Sequence, residues 1–519
     1  MKITRIIAVI TIFPMLFFLA CNSSSGQEPD GTMNIKYTEY RQEIDGFGGS
    51  DAWLRLPFFD DVAEDLVKLL YSRTEGMGFT ILRNRIPFRE RLNDDDSPGL
   101  NDGFVVRKGD NTYDYTAGAD GTKTFNLNWN GWDMAETRKL IGLIKALGGD
   151  GPEKLVIMSS PWTPPNNRVT RWKEDVAGVS GSMNYTMDWS RPDWWGKLRR
   201  DKYEDYADLL ADYVKNFEKQ MGSPLAILSV QNEPNWKVQY ESAYWSGEDI
   251  RDFIKIIGQR FPMKGITLGE GGIGIMAPEF ENFNVNFNTM IKPALDDPQS
   301  QRVLTHIGLH QYNAPYDSSR RSGSMEFPDI AASGKRFWQT EVSGSGQYLP
   351  AGTGIDNALF YARMIHFDNT LAQTNAFLYW WLWTNNVNDD NFPGALIMVD
   401  DDTITPALRL YAMGQYSRFI RPGWFRIDCD TSPVRGRAVY SSAYRNPRTK
   451  EIAVVIINDT ATSMSVSLNL SGAEFERLET WRTSANEKLA PLGRQATSRN
   501  TASVNLPSRS ITTFYGMTK

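Results

Sequence analysis

The chain has 519 residues, 41% of them hydrophobic, and a net charge of −6 from 56 Lys+Arg against 62 Asp+Glu. That length exceeds what one core usually supports, which predicts two domains, and the near-even charge balance leaves no basic face for nucleic acid. Aromatic residues are abundant, 16 Trp, 21 Tyr and 26 Phe, many beside Asn, Asp and Gly, a setting that suits sugar rings as well as core packing.

At the N-terminus, Lys2 and Arg5 precede an apolar run from Ile6 to Ala20, too short to span a bilayer and long enough for a signal h-region. The run ends at Leu19-Ala20-Cys21, followed by NSSSGQEPDG. This predicts a lipoprotein-type signal over 1–21, lipidation of Cys21, and a flexible tether over 22–32. Phe18 stands where Leu is usual, so ordinary cleavage of a secreted protein is the alternative. Either way the chain is expected to be exported, as a bacterial cell-envelope lipoprotein or a secreted protein, touching membrane only through the lipid. Cys429 is the other cysteine, so no internal disulfide is expected. No interface signal stands out, and monomer is the default.

Next comes a rhythm of short apolar runs: IDGFGGS near 44, FTILRNRI near 79, KLVIMSS near 154, LAILSVQ near 225, GITLGE near 265, THIGLHQY near 305, RFWQTE near 336 and AFLYWWLW near 376. Helical spacing over 61–70, 133–147, 203–221, 248–261 and 355–371 separates them. Ser246-Gly247-Glu248-Asp249 has capping-box form. Strands covered on both faces and alternating with helices predict an α/β fold, a (β/α)8 TIM barrel over 45–419.

Past about residue 420 the texture changes. Segments 437–444, 451–457, 463–470 and 510–515 alternate or run short and β-branched, with Asn-Pro, Asn-Asp and Ser-Gly turns between. This predicts a C-terminal side β-sandwich over 420–519, which residues 33–44 are expected to join.

Catalytic side chains of such barrels sit at the C-terminal ends of the strands. Glu233, in SVQNEPNW, follows the fourth run, and Glu341, in RFWQTEVS, ends the seventh. Two carboxylates facing one cleft suit glycosidic bond cleavage, where one protonates the leaving oxygen and the other attacks the anomeric carbon or activates water. The competing explanation is that each merely pairs with an arginine, such as Arg83 or Arg85.

IDGFGGSDAW (44–53), GFTILRNRIP (78–87), SSPWTPP (159–165), SVQNEPNW (229–236), FWQTEVSG (337–344) and YAMGQYSRFIRPG (411–423) together resemble glycoside hydrolase family 30. YESAYWSGEDIRDFIK (240–255) and HQYN (310–313) are most similar to its glucuronoxylanase-like xylanase branch. The resemblance implies a barrel with a side β-domain and a retaining mechanism, with Glu233 as acid/base and Glu341 as nucleophile. Around them, Asn232 is expected to bind the sugar 2-hydroxyl, Arg83 and Tyr312 to orient Glu341, His310 to line the floor, and Trp53, Trp162 and Trp381 to offer stacking platforms. The expected substrate is β-1,4-xylan, as glucuronoxylan or arabinoxylan. The alternatives are β-1,6-galactan, β-1,6-glucan or glucosylceramide cleavage within the family, or a non-catalytic glycan-binding lipoprotein.

One departure bears on specificity. Glucuronoxylan-specific members carry a uronate-clamping arginine after the eighth strand, and here that loop reads WTNNVNDDNFPGALIMVDDD (383–402), acidic and without arginine. A weakened glucuronic acid dependence is therefore expected, unless Arg320 or Arg321 substitutes. Gly269-Glu270-Gly271-Gly272-Ile273-Gly274 matches a dinucleotide pattern without its helix or acidic partner, and reads as a rim turn after the fifth strand with Glu270 as a supporting acid. Segment 389–402 has calcium-type oxygens but no calcium-loop spacing, and the few Cys and His exclude a zinc pattern. No cofactor and no metal are expected.

Overall fold

The structure, a computed structural model, describes residues 28–87, 104–106, 113–165, 184–186, 196–236, 242–313, 325–344, 352–387 and 392–519. Cys21, Arg320, Arg321 and residues 388–391 of the acidic loop lie outside them.

Eight parallel strands close into a barrel: Gly46–Ser50, Ile81–Ile86, Val156–Pro161, Ile227–Ser229, Gly274–Met276, Leu304–His310, Arg336–Glu341 and Ala376–Thr384. The eighth pairs with both the seventh and the first, which removes any open edge. Burial on both faces is why these segments read as continuous apolar runs: every residue of Ile81–Ile86 is buried. Ile81, Met158, Ile227, Met276, Trp338, Ala376 and Leu378 fill the barrel floor. Side chains alternate along a strand, so Arg83, Ser160 and Trp380, two residues beyond floor residues, face the same interior nearer the C-terminal mouth. A polar layer thus stands on an apolar one.

The helices Asp60–Tyr71, Trp132–Ala146, Tyr203–Met221, Gly247–Met263 and Ile355–Phe367 fall where the apolar spacing predicts them. Ser246 and Asp249 form the capping box, each side chain accepting from the other's backbone N–H. The last helix ends early, turning into a π-helical segment, Asp368–Ala372, that buries Asp368 and Asn369.

The fifth strand departs from the sequence reading. It is Gly274–Met276 rather than 265–270, because Gly265, Gly269 and Gly271 all take positive φ and keep the chain turning. The 269–274 turn therefore precedes the strand, at the N-terminal end of the barrel. Glu270 is exposed there, far from any role at the mouth.

Nine further strands form the side domain, in the order Ala490–Gln495, Phe475–Thr483, Ser510–Thr518, Glu451–Asn458, Val439–Arg445, Trp424–Cys429, Gly31–Ile44, Met464–Ser471 and Thr501–Leu506. Gly31–Ile44 runs antiparallel to Trp424–Cys429 and parallel to Met464–Ser471. Its alternating Met33, Ile35 and Tyr37 enter a sandwich core with Val454, Leu468 and Phe514. A second face of this domain packs on the barrel: Phe419 meets Trp481 at 4.8 Å, Asn369 Nδ2 donates to Tyr444 Oη at 2.8 Å, and Gln415 Nε2 donates to Thr483 Oγ1 at 2.9 Å.

Ala395–Asp400 and Thr403–Pro406 make a hairpin beside the eighth strand, with Asp400, Asp401 and Asp402 exposed at its turn. Among the described residues, no helix is long and apolar enough to cross a membrane.

Candidate active site

The mouth of the barrel is assembled from strand ends. Glu233 lies just past Ile227–Ser229 at φ 44°, and its N–H donates to the Glu279 carbonyl at 3.0 Å. Gln231 braces this turn, donating from Nε2 to the Trp162 carbonyl at 2.6 Å while Oε1 accepts from Trp245 Nε1 at 3.3 Å. The backbone is held in the left-handed region, which aims the Glu233 carboxylate inward at a cost of about 1–3 kcal/mol.

Glu341 ends the seventh strand and is 5% exposed. Arg83 Nη1 donates to its Oε2 at 2.7 Å, and Tyr312 Oη donates to its Oε1 at 2.7 Å. Burial pushes the Glu341 carboxyl up, with Glu233 adding to it, while His310, Arg83 and the Tyr312 hydroxyl oppose the rise. Burial also raises the Tyr312 phenol well above its ordinary value, so it stays a donor.

His310 stands between the carboxylates and is fully buried. Its Nδ1 is 2.8 Å from Glu233 Oε1, and its Nε2 is 3.7 Å from both Glu341 Oε2 and Glu279 Oε1. Burial alone would depress an imidazolium, but the surrounding carboxylates outweigh it and raise His310 to about 10. At neutral pH it is a cation, with Nδ1–H donating to Glu233.

Arg83, also fully buried, donates from Nη2 to Asn232 Oδ1 at 2.6 Å. That bond fixes the amide and leaves Nδ2 as Asn232's remaining donor. The guanidinium lies over the Trp162 ring at 4.8 Å and the Trp380 ring at 5.7 Å. Trp53, Trp162 and Trp380 form one cluster, with centroids 5.0 to 6.0 Å apart. Trp53 is half-buried, whereas Trp162, 2% exposed, is a wall behind Arg83 rather than an open platform.

Trp381, expected as a platform, stacks on Trp380 of this cluster with centroids 5.2 Å apart. It packs outward against Phe392, Ala395 and Ala407, and the inward ring is its neighbour Trp380. Strand alternation is the reason: Ala376 and Leu378 already face the interior. Trp236, three residues past Glu233 and 48% exposed, is a further rim aromatic that the sequence reading passed over.

The larger omission is Glu279. It follows the fifth strand, is fully buried, accepts from Ser160 Oγ at 2.7 Å, and lies 3.1 Å from Arg83 Nη2. Burial works against its ionisation, but Arg83 and His310 prevail and hold it at about 2. The mouth thus gathers Arg83 and His310 as cations with Glu233, Glu279 and Glu341. Glu233, His310 and Glu341 approach within 4.8 Å of one another, but a protonated imidazole offers N–H groups rather than a lone pair, which disfavours a metal ion.

Two family profiles match the chain: O-Glycosyl hydrolase family 30 over residues 188–397, and the Glycosyl hydrolase family 30 beta sandwich domain over 423–514. Glucuronoxylanase XynC of Bacillus subtilis is 28% identical over 364 residues, 69% of this chain and 73% of that protein. The solved glycoside hydrolase family 30 subfamily 8 xylanase Xyn30A from Clostridium acetobutylicum is 25% identical, with a TM-score of 0.67 over 94% of this chain and 99% of its own. A solved endo-β1,6-glucanase shares the fold at 19% identity, with a TM-score of 0.64 over 94% of each chain. Barrel and side domain both match profiles of one family, which together span more than half the chain, and the protein therefore belongs to glycoside hydrolase family 30 and is a glycoside hydrolase.

Proposed function

We propose that the protein is a retaining, endo-acting β-1,4-xylanase whose dependence on a glucuronic acid branch is weakened or absent. Glu341 is the nucleophile and Glu233 the acid/base. The observation that carries the mechanism is their spacing around His310, with carboxylate oxygens within 4.8 Å. Retaining pairs stand about 5–5.5 Å apart, whereas inverting pairs leave roughly 6.5–9.5 Å for a water.

In the first step Glu341 attacks the anomeric carbon while Glu233 gives its proton to the leaving oxygen, forming a covalent glycosyl-enzyme. In the second, Glu233 takes a proton from the water that releases the sugar. Asn232 Nδ2 reaches the 2-hydroxyl, with its Oδ1 pinned on Arg83. Tyr312 and Arg83 hold one Glu341 oxygen each, which limits the carboxylate to one attacking geometry.

Xylan is favoured by the relatives named glucuronoxylanase and xylanase. Loss of the branch requirement is favoured by the arginine-free, acidic loop 383–402, whose charge repels a uronate. The test is mass-spectrometric product profiling on glucuronoxylan, arabinoxylan, linear xylan, β-1,6-galactan and β-1,6-glucan, with Glu341→Gln as control. Xylo-oligosaccharides without a regular uronic acid position are expected. Products with the branch at one fixed place would overturn the specificity reading, and cleavage of a β-1,6-glycan alone would overturn the substrate.

A further inference from the structure

Glu279 is buried more deeply than either carboxylate of the pair and is built in by three strands. Gly308, on the sixth strand, leaves the room its side chain uses: a Cβ there would come within 2.9 Å of Glu279 Cγ. Ser160, from the third strand, donates to Oε2 at 2.7 Å. Oε1 faces Arg83 Nη2 at 3.1 Å, from the second strand, and His310 Nε2 at 3.7 Å, but accepts no hydrogen bond. The Glu279 carbonyl takes the N–H of Glu233, and both residues sit at positive φ, 49° and 44°. Holding two non-glycine residues in that region, joined by one hydrogen bond, needs surroundings that over-determine them.

We propose that Glu279 is a positioning residue for the reaction: through Arg83 and His310 it fixes Glu233 and Glu341 in register, and its negative charge offsets the two buried cations at the mouth. The inference rests on the reading of Glu233 and Glu341 as the catalytic pair.

The charge count gives the reason. Arg83 and His310 are two buried cations side by side, and Glu279 is the carboxylate that lies within 3.1 Å of one and 3.7 Å of the other. Without Glu279, Arg83 and His310 lose the carboxylate that lies against both, and of the two cations His310 is the one that can release a proton. Loss of that proton would weaken the hold of His310 Nδ1 on Glu233 Oε1. The groups facing this cluster are Arg83 from the second strand, Glu233 after the fourth, Glu281 after the fifth, His310 and Tyr312 from the sixth and Glu341 from the seventh. None besides Glu279 is spare: Arg83 and Tyr312 hold Glu341, and Glu281 accepts from Asn235 Nδ2.

Histidine NMR reads this without any substrate, because the chain has only 3 His. His306, half-buried, and His366, buried, are both pushed down to about 3 by desolvation, so His310 is the one imidazolium above about pH 5. In Glu279→Gln, at wild-type fold by circular dichroism, the His310 titration is expected to fall by at least about one pH unit. The alkaline limb of kcat/KM on a cleaved xylan should move the same way, while Glu279→Asp, which keeps the charge, restores most of the wild-type profile. An unchanged His310 titration in Glu279→Gln overturns the proposal, whatever the substrate proves to be. Should Glu279→Gln not fold, Ser160→Ala, which removes only the Glu279 hydrogen bond, is expected to shift His310 downward by less, and no shift there overturns it equally. A normal His310 response with no xylan cleavage would instead leave Glu279 in place and sink the substrate reading.

Discussion

The barrel mouth and the seam between barrel and sandwich each bury a histidine, His310 fully and His366 to 1% exposure, and the two regions treat it in opposite ways. His310 is ringed by carboxylates and is raised to about 10. His366 lies against Phe367 at 4.9 Å and Tyr440 at 5.5 Å, with only the distant charge of Arg426, and burial drives it down to about 3. Burial depth is the same, so depth does not decide charge; the partners do. Around His366 the seam is aromatic, and the ion pairs that cross it, Arg363 with Asp459 and Arg509 with Asp356, lie elsewhere. The mouth is built as an ion cluster, where strained backbone and desolvated charge are tolerated because the floor beneath, from Ile81 to Leu378, is packed apolar.

The contrast can be broken from either side. Glu341→Gln should lower kcat on order of 10⁴-fold or more with the melting temperature near wild type, read by kinetics beside thermal unfolding. Phe419→Ala at the seam should do the reverse, costing about 3–5 kcal/mol in chemical denaturation through the lost contact with Trp481 while kcat per folded molecule holds. A large activity loss in the second variant would mean that the seam shapes the mouth.

The smallest expected effect sharpens the pH difference. His366 is depressed when folded, so the unfolded chain takes up a proton near pH 6.5 that the folded one refuses; this stability is present above 6.5 and lost as pH falls toward 3. His366→Phe should therefore lose less stability than wild type between pH 6.5 and 5, by roughly 2 kcal/mol. His310 has the opposite sign: its contribution is complete below 6.5 and disappears as pH rises through about 10. Parallel stability curves for His366→Phe and wild type below pH 6.5 would show that the seam histidine is charged after all.

What was legible in the sequence follows from signal length. Glu233 and Glu341 stand at the ends of apolar or aromatic runs, and Pro234 after Glu233 disfavours continuing that strand. Glu279 was hidden because Ile266–Leu268, just before its strand Gly274–Met276, mimics a strand and shifts the apparent strand end to Glu270. Trp380 was hidden in a different way. Trp380, Trp381 and Trp383 crowd one strand, and only counting in twos from Ala376 and Leu378 selects the inward ring. Ala490–Gln495 has no apolar stripe to read because it is an exposed edge.

The side domain is stitched from both ends of the chain. Asn34 bonds Asp430, 396 positions away, and the Gly31–Ile44 strand runs on through Asp45 into the first barrel strand. Its partners are the last segments to be made, so the first strand emerges from the ribosome with an unpaired edge and waits for nearly the whole protein. Contacts of such sequence separation make folding slow. The segments 424–429 and 464–471, which pair with the first strand on either side, act as the latch that closes it.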